Sequence, residues 1–109
     1  LEAIKEKLAR QEKGFSVLSF IEDLAKNENI REHIDSVKPK KLPLGDDYDE
    51  TMVEIQLDDI TLPQLVDFVY KIESSGNVLK VKRLRIKTNY NNRNLLHVTM
   101  QVTTYTRKG

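Results

Sequence analysis

The sequence predicts an α+β domain in which two helices cover one face of a four-stranded antiparallel sheet. Three observations predict it. Apolar residues recur at helical spacing in two separate segments, alternating apolar and polar residues mark strands after each of them, and the order is helix, strand, strand, helix, strand, strand. Two αββ units in this order give a ferredoxin-like arrangement in which the chain begins with a helix instead of the usual first strand. We expect this arrangement to span residues 15–109.

The first helix is predicted over residues 17–27. Ser16 can accept a hydrogen bond from the backbone at its start, as an N-cap residue does. An apolar stripe at positions i, i+3, i+4 and i+7 predicts one buried face, formed by Val17, Phe20, Ile21 and Leu24.

The first pair of strands is predicted less sharply than the helix before it. Residues 33–41 and the residues just after them contain Pro39 and Pro43. Because proline cannot donate a backbone hydrogen bond, this segment can form only an edge strand or a loop. Residues 44–50 contain Gly45 and four acidic residues and are predicted to form a loop. Residues 51–58 alternate between apolar and polar side chains, which predicts a half-buried central strand.

The second helix has the clearest start signal in the chain. Thr61 and Gln64 have the spacing of a capping box, and Gly76 is expected to end the helix in a left-handed turn. Phe68 is placed at the edge of the buried face. That face is predicted to consist of Leu62, Leu65, Val66, Val69 and Ile72.

The last two strands form a hairpin around residues 91–94. In residues 78–89, two apolar pairs share one face only if one extra residue is inserted near Lys82-Arg83, which predicts a β-bulge with both pairs in the core. The pairs are Leu79 with Val81 and Leu84 with Ile86. The central strand at 95–106 is expected to bury Leu96, Val98, Met100 and Val102, and to point His97, Thr99, Gln101, Thr103 and Tyr105 outward.

Residues 1–14 are predicted to be a helical remnant outside the domain. Leu1, Ile4 and Leu8 follow a heptad pattern for less than two heptads, so a fragment of a coiled coil and a frayed helical extension are both open. The chain does not begin with methionine, and we expect it to be a piece of a longer protein.

Charge is distributed very unevenly along the chain. Residues 1–73 carry 10 Lys and Arg with all 17 Asp and Glu, a net charge of −7, whereas residues 74–109 carry 8 Lys and Arg and no acid, a net charge of +8. We predict an interface along the basic strand, with a polyanion site and mutual neutralisation of the two faces as alternatives. Its residues are Lys80, Lys82, Arg83, Arg85 and Lys87.

No catalytic, cofactor or metal site is predicted, and we expect the chain not to be an enzyme. There is no cysteine, and the four glycines are isolated, so no phosphate-binding loop is present. His33 beside Glu32 and Asp35 is interpreted as a solvated charge cluster, and His97 as a surface histidine. The acidic residues 46–50 lack the spacing of a calcium loop. No pocket for a small-molecule substrate is indicated, although a regulatory domain of the same shape would need one.

Two kinds of macromolecular partner remain. Exposed edge strands are templates for pairing with another protein chain, unless proline, bulge and charge already block them. Nucleic acid is the second candidate partner, because a basic strand can bind phosphate groups. The aromatic motif of RNA-binding ferredoxin-like domains is missing, and only Tyr105 and Tyr90 could stack on bases.

Five segments between Phe20 and Tyr105 carry a family resemblance. They are Val37-Lys38-Pro39, Val53-Glu54-Ile55-Gln56-Leu57, Leu62-Pro63-Gln64-Leu65-Val66-Asp67-Phe68-Val69-Tyr70-Lys71-Ile72-Glu73, Val81-Lys82-Arg83-Leu84-Arg85-Ile86 and Leu95-Leu96-His97-Val98-Thr99-Met100-Gln101-Val102-Thr103-Thr104-Tyr105. Through these segments the chain resembles the periplasmic domains of the PilO family of type IV pilus inner-membrane proteins, and of the related type II secretion system protein M. A glycine often precedes the second helix in that family, whereas Asp58-Asp59-Ile60 stands there in this chain.

The resemblance implies a scaffold without catalytic residues or cofactors. It implies a domain on the periplasmic face of the bacterial inner membrane, anchored only through a segment absent from this chain, that pairs with itself or with a sister protein of the inner-membrane platform. The heptad fragment at Leu1, Ile4 and Leu8 would then belong to a periplasmic coiled coil.

Overall fold

The computed structural model describes residues 16–108. The residues for which a coiled coil was considered, Leu1, Ile4 and Leu8, lie outside this range, so that interpretation stays a prediction. The elements are helix α1 (Val17–Asn27), a 3₁₀ turn (Arg31–His33), strands β1 (Ile34–Leu44) and β2 (Tyr48–Ile60), helix α2 (Leu62–Glu73), and strands β3 (Lys80–Thr88) and β4 (Leu96–Arg107).

The four strands form one antiparallel sheet in the order β1-β2-β4-β3. As predicted, β2 and β4 are central, and the proline-bearing and bulged strands are at the edges. Both helices pack on the same face, where they bury residues of β2 and β4 that include Ile55, Leu57 and Met100. The predicted α+β class and four-stranded arrangement are therefore confirmed.

Helix α1 has the predicted bounds. Its first turn is capped by Ser16, whose hydroxyl oxygen accepts a hydrogen bond from the Ser19 backbone N–H at 3.2 Å. Val17, Ile21 and Ala25 are buried at the centre of its inner face. No helix among residues 16–108 combines the length and apolarity that crossing a membrane requires.

The acidic segment predicted as a loop over residues 44–50 is instead a tight hairpin. Leu44 pairs with Tyr48, and only residues 45–47 form the turn, where Gly45 has φ of 71°. The acidic side chains are compatible with strand ends because they remain near solvent, and Lys108 Nζ lies 3.8 Å from Asp49 Oδ1. Turn composition was therefore a correct signal for the reversal, but it overestimated the length of the turn.

Helix α2 begins as predicted but shows a different face to the core. Thr61 N–H donates to Gln64 Oε1 at 2.8 Å, and Gln64 N–H donates to Thr61 Oγ1 at 3.3 Å, which completes the capping box. Phe68 is fully buried, whereas Leu62 and Val66 are exposed. The prediction that Leu62 and Val66 are buried, with Phe68 at the edge, is wrong because the helix is rotated to bury the larger aromatic side chain.

The end of α2 also differs from the prediction. The helix ends at Glu73, and the Ser74 N–H donates to the Tyr70 carbonyl at 2.9 Å. Gly76 has φ of 87° but lies in the connection that follows the helix rather than at its last turn. Its left-handed backbone therefore directs the chain toward β3, as glycine does at such positions at little steric cost.

The bulge predicted in β3 is present as a register shift between Val81 and Arg83. It places Leu84 opposite Met100 and Ile86 opposite Val98, on the side of the sheet that carries the helices. These two side chains are nevertheless 42% and 44% exposed, so the prediction that they belong to the core is wrong. They lie on an edge strand whose outer part no described helix covers.

Strand β4 buries the four residues that its alternation predicts, at positions 96, 98, 100 and 102. Thr103, predicted to point outward, is instead buried, and its hydroxyl donates to the Thr51 carbonyl at 3.4 Å. Thr104 is also buried and donates to the Val78 carbonyl. A hydroxyl that reaches a carbonyl can be buried with little penalty, which a pattern of apolar residues does not register.

A charged cluster joins the two helices. Lys71 Nζ contacts the Glu28 carboxylate after α1 and lies 3.1 Å from Asp67 Oδ2 on its own helix. The hydrogen bond with Glu28, and then that with Asp67, raise the pKa of Lys71. The pKa of Asp67 is lowered first by a hydrogen bond with Glu28 and then by its hydrogen bond with the Lys71 ammonium. This flank of α2 therefore faces α1.

Candidate interaction surface

The five predicted interface residues of β3 form one cationic edge of the sheet. We call Lys80, Lys82, Arg83, Arg85 and Lys87 the basic edge. All five side chains are exposed. Residues directly opposite one another in an antiparallel pair point to the same face. Arg83 is opposite Gln101 and Arg85 opposite Thr99, so these arginines lie on the sheet face without helices, which we call the open face.

The bases of the open face lie on its edges and the acids lie at its centre. Glu54 of β2 is opposite Lys38 of β1 on one side and Gln101 of β4 on the other. Lys82 Nζ lies 3.8 Å from Glu50 Oε1, and the lysine side chain is 55% exposed. Such solvent-exposed pairs contribute at most about 1 kcal/mol each. The central acids therefore neutralise the basic edge only in part.

The cavities along the basic edge are shallow. One of about 100 Å³ is lined by residues that include Arg83, Arg85 and Glu54, and a second of about 180 Å³ includes Arg85, Lys87 and His97. Binding pockets for small molecules usually measure about 300–1,000 Å³. A flat cationic surface of this kind suits a chain or a surface better than it suits a small molecule.

A larger cavity of about 510 Å³ lies between the start of α1 and the ends of β2 and β4. Its walls include Val17, Thr51 and Thr104, with Lys108 and Asp49 at one side. Ser16, where the described part of the chain begins, also lines it. Among residues 16–108, the wall holds one loose ion pair, between Lys108 and Asp49, and no histidine.

Both histidines converge on Asp58, which the sequence did not indicate. His97 Nδ1 lies 2.8 Å from the Asp58 carboxylate, and His33 Nδ1 lies 3.1 Å from the Asp58 carbonyl oxygen. Asp58 belongs to a register shift in β2 between Leu57 and Ile60. The interpretation of His33 as part of a solvated cluster with Glu32 and Asp35 therefore omits its hydrogen bond to the backbone of β2.

The neighbouring Asp59 explains how this bulge forms without glycine. Asp59 has φ of 57°, the left-handed region that aspartate enters more readily than most residues. Asn89 Nδ2 donates to Asp59 Oδ1 at 2.7 Å and holds the bulge against the β3–β4 connection. The signal available in the sequence was the Asp58-Asp59 pair at a position where the PilO family often has glycine.

Within residues 16–108, no group of three or more His, Asp or Glu side chains is arranged to hold a metal ion. The Asp58–His97 pair is about half exposed on both sides and has no nucleophilic hydrogen-bond partner in the described part of the chain. The pair therefore has the geometry of a structural contact that ties β2 to β4.

The aromatic side chains of the open face lie away from Arg85. Tyr105 lies opposite Glu50 near the β1–β2 turn, whereas Arg85 is opposite Thr99. At about 3.3 Å per residue, the rows of Tyr105 and Thr99 are roughly 20 Å apart. Tyr48 is opposite Arg107 at the same end as Tyr105, and Tyr90 is exposed in the hairpin between β3 and β4. Among the described residues, the arginines of the basic edge therefore have no aromatic side chain in the same row for base stacking.

Comparison with solved structures shows a PilO-like fold. The chain is similar to the crystal structure of the type 4 fimbrial biogenesis protein PilO from Pseudomonas aeruginosa, with a TM-score of 0.77 and 16% sequence identity, over 98% of this chain and 80% of that chain. No protein-family model matches the chain, and no curated protein sequence matches it significantly. The predicted resemblance to PilO is therefore confirmed for the fold.

Proposed function

With a PilO-like fold as the premise, we propose that this chain is a non-catalytic assembly domain of a type IV pilus or type II secretion inner-membrane platform. It acts by pairing with itself or with a sister platform protein, on the periplasmic face of the membrane. The observation that carries the proposal is the match to PilO over 98% of the chain with a TM-score of 0.77.

The surface chemistry of the domain supports a protein-binding role. The basic edge is exposed on β3, and the cavities beside it are too shallow to enclose a ligand. An exposed edge strand also leaves backbone groups available for pairing with another chain. A scaffold that works by contact needs these features and no reactive group.

The proposal is tested by deleting the parent gene in its source bacterium and restoring it from a plasmid. Loss of surface pili, recovered by the restored gene, supports a pilus platform, and loss of protein secretion supports a secretion platform. Normal pili together with normal secretion would refute both forms of the proposal.

The self-pairing part is tested separately by sedimentation equilibrium of the 109-residue chain over a range of concentrations. We expect a reversible monomer–dimer equilibrium, or a heterodimer once the sister domain is added. A monomer at all concentrations, with no complex with any platform protein of the same genome, would contradict pairing as the mode of action.

A further inference from the structure

Five exposed apolar side chains of α2 and β3 lie on the helix side of the sheet, and we call them the apolar groove. Three of its side chains come from α2 and two from β3, and each is between 42% and 67% exposed. Scattered apolar residues are common on protein surfaces, but a contiguous strip beside an open strand edge is typical of an interaction site. The groove consists of Leu62, Val66, Tyr70, Leu84 and Ile86.

The orientation of α2 places its exposed apolar residues next to β3. Leu62, Val66 and Tyr70 are spaced by four residues and therefore follow one flank of the helix. Glu73 is seven residues after Val66, on the same flank, and its Oε2 accepts a hydrogen bond from the Val81 N–H at 3.2 Å. The opposite flank faces α1 through Lys71. The apolar flank is therefore the one that faces β3.

Strand β3 continues the core outward beneath this flank. Leu84 is paired with the buried Met100, and Ile86 with the buried Val98. The contact of Glu73 with Val81 closes the start of the edge. The stretch from Arg83 to Thr88 stays exposed, and β4 is its only partner strand among residues 16–108.

In the exposed stretch of β3, apolar and cationic side chains point to opposite faces of the sheet. Leu84 and Ile86 lie on the helix side, whereas Arg83, Arg85 and Lys87 lie on the open face. A strand added beside it would have its own side chains in register with both sets, since cross-strand neighbours share a face. The added strand that best complements β3 therefore has apolar residues facing the groove in alternation with acidic residues facing the open face.

Charge disfavours a second copy of the same chain as the occupant of this edge. Pairing β3 with β3 of a second copy would place cations opposite cations on the open face. Pairing β3 with β1 of a second copy would oppose the basic edge to Lys38 and Lys40, which lie on the same face of their own strand. Like charges directly opposite one another destabilise a strand pair, so the complementary partner is a different, acidic chain.

We propose that the β3 edge binds an extended segment of another protein, with apolar and acidic residues in alternation, which joins the sheet as a fifth strand. The backbone hydrogen bonds provide affinity and the alternation provides specificity, as in other cases of strand addition. The inference rests on the proposed function in so far as both take the chain as a protein-binding module. Self-pairing then uses a surface other than β3.

The probe is a blocked peptide of alternating valine and glutamate with nine residues, the length of β3. Binding is followed by amide chemical shifts of the 109-residue chain. Three reference probes accompany it: a peptide of the same composition with its glutamates grouped, the alternating peptide N-methylated at every second residue, and poly-uridylate. We expect the alternating peptide alone to shift the amides of residues 83–88 and protect them from exchange.

Matched variants locate the contact on one edge. Arg83→Glu with Arg85→Glu should weaken peptide binding roughly three- to thirtyfold, as expected for two exposed charge pairs. Lys38→Glu with Lys40→Glu makes the same charge change on the same face of β1 and should leave it within about twofold. Ile86→Ser should weaken binding without unfolding the domain, since Ile86 is outside the buried core.

The outcomes separate the possible occupants. Equal binding of the grouped or N-methylated peptide would show a general attraction of charge and would overturn strand addition. Equal or tighter binding of poly-uridylate at the same amides would identify a nucleic-acid surface instead, and absence of peptide binding would also overturn the inference. None of these results bears on pili or secretion after gene deletion, so the proposed function would stand or fall independently.

Discussion

Leu65 and Val66 are neighbours on α2 in opposite environments, and replacing each by alanine tests the orientation of the helix. Leu65 is 2% exposed, whereas Val66 is 58% exposed. The apolar spacing in the sequence placed both in the core. Leu65→Ala and Val66→Ala therefore distinguish the two orientations by their effect on the free energy of unfolding.

The structure predicts a large difference between the two variants. Leu65→Ala removes three buried carbons at about 0.8 kcal/mol each and leaves a cavity, so a loss of about 3 kcal/mol is expected within the usual 2–5 kcal/mol. Val66→Ala removes two methyl groups that are mostly in water. Losing the small buried area of Val66 lowers the free energy of unfolding slightly. Alanine offsets this loss because it favours a helix over valine by roughly 0.5 kcal/mol. The net change in the free energy of unfolding should therefore stay within about 0.5 kcal/mol.

The assay is urea unfolding followed by far-UV circular dichroism, supported by thermal melts. Leu65→Ala should lower Tm by roughly 10–20 °C for a domain of this size, and Val66→Ala should leave it almost unchanged. Equal losses of several kcal/mol in both variants would refute the orientation of α2, and with it the exposure of the apolar groove. A stable Leu65→Ala variant would refute the burial of Leu65.

Three further substitutions test single features of the domain. Thr61→Ala removes the hydroxyl that caps α2 and should cost about 1 kcal/mol in urea unfolding, whereas Thr61→Ser should recover most of it; equal stability of all three chains would contradict the cap. Gly76→Ala should cost roughly 1–2 kcal/mol because φ is 87°, although no atom lies within 4 Å of the added methyl group, so an unchanged Tm would mean that the connection has another conformation. The lowered pKa of Asp67 implies stability that is present above its ordinary pKa of 3.8 and is lost as the pH falls through the folded-state value. Asp67→Asn should therefore flatten the acid limb of the stability–pH curve, and an identical limb in both chains would remove Asp67 from the network.

The sequence predicted those features of the fold that depend on local spacing. The start of α2 followed from Thr61 and Gln64, and the bulge in β3 followed from two apolar pairs that alternation alone could not place on one face. Edge and central positions followed from Pro39 and from the bulge, because both interrupt the ladder of hydrogen bonds that a central strand needs on two sides.

The features that the sequence missed depend on contacts between distant elements. The buried face of α2 could be Val66 or Phe68 by spacing alone, since the two candidate stripes differ by a modest rotation of one helix. The exposure of Leu84 and Ile86 depends on how far a helix reaches over an edge strand. The meeting of His33 and His97 at Asp58 requires a bulge in β2, whose left-handed residue is an aspartate rather than a glycine.

The extra residue in β3 makes the chemistry of this edge depend on the path of the backbone as well as on the side chains. Deleting the single codon for Lys82 would make the bulge unnecessary, and strict alternation would keep Leu84 and Ile86 on the helix side and Arg83 and Arg85 on the open face. If the undeleted sequence instead paired without the bulge, one half of the strand would turn over, and if that were the half beyond Lys82, the two arginines would face the helices. A related gene that lost this codon would therefore present the same edge, whereas one that kept the codon but lost the bulge would present an inverted edge with an unchanged composition.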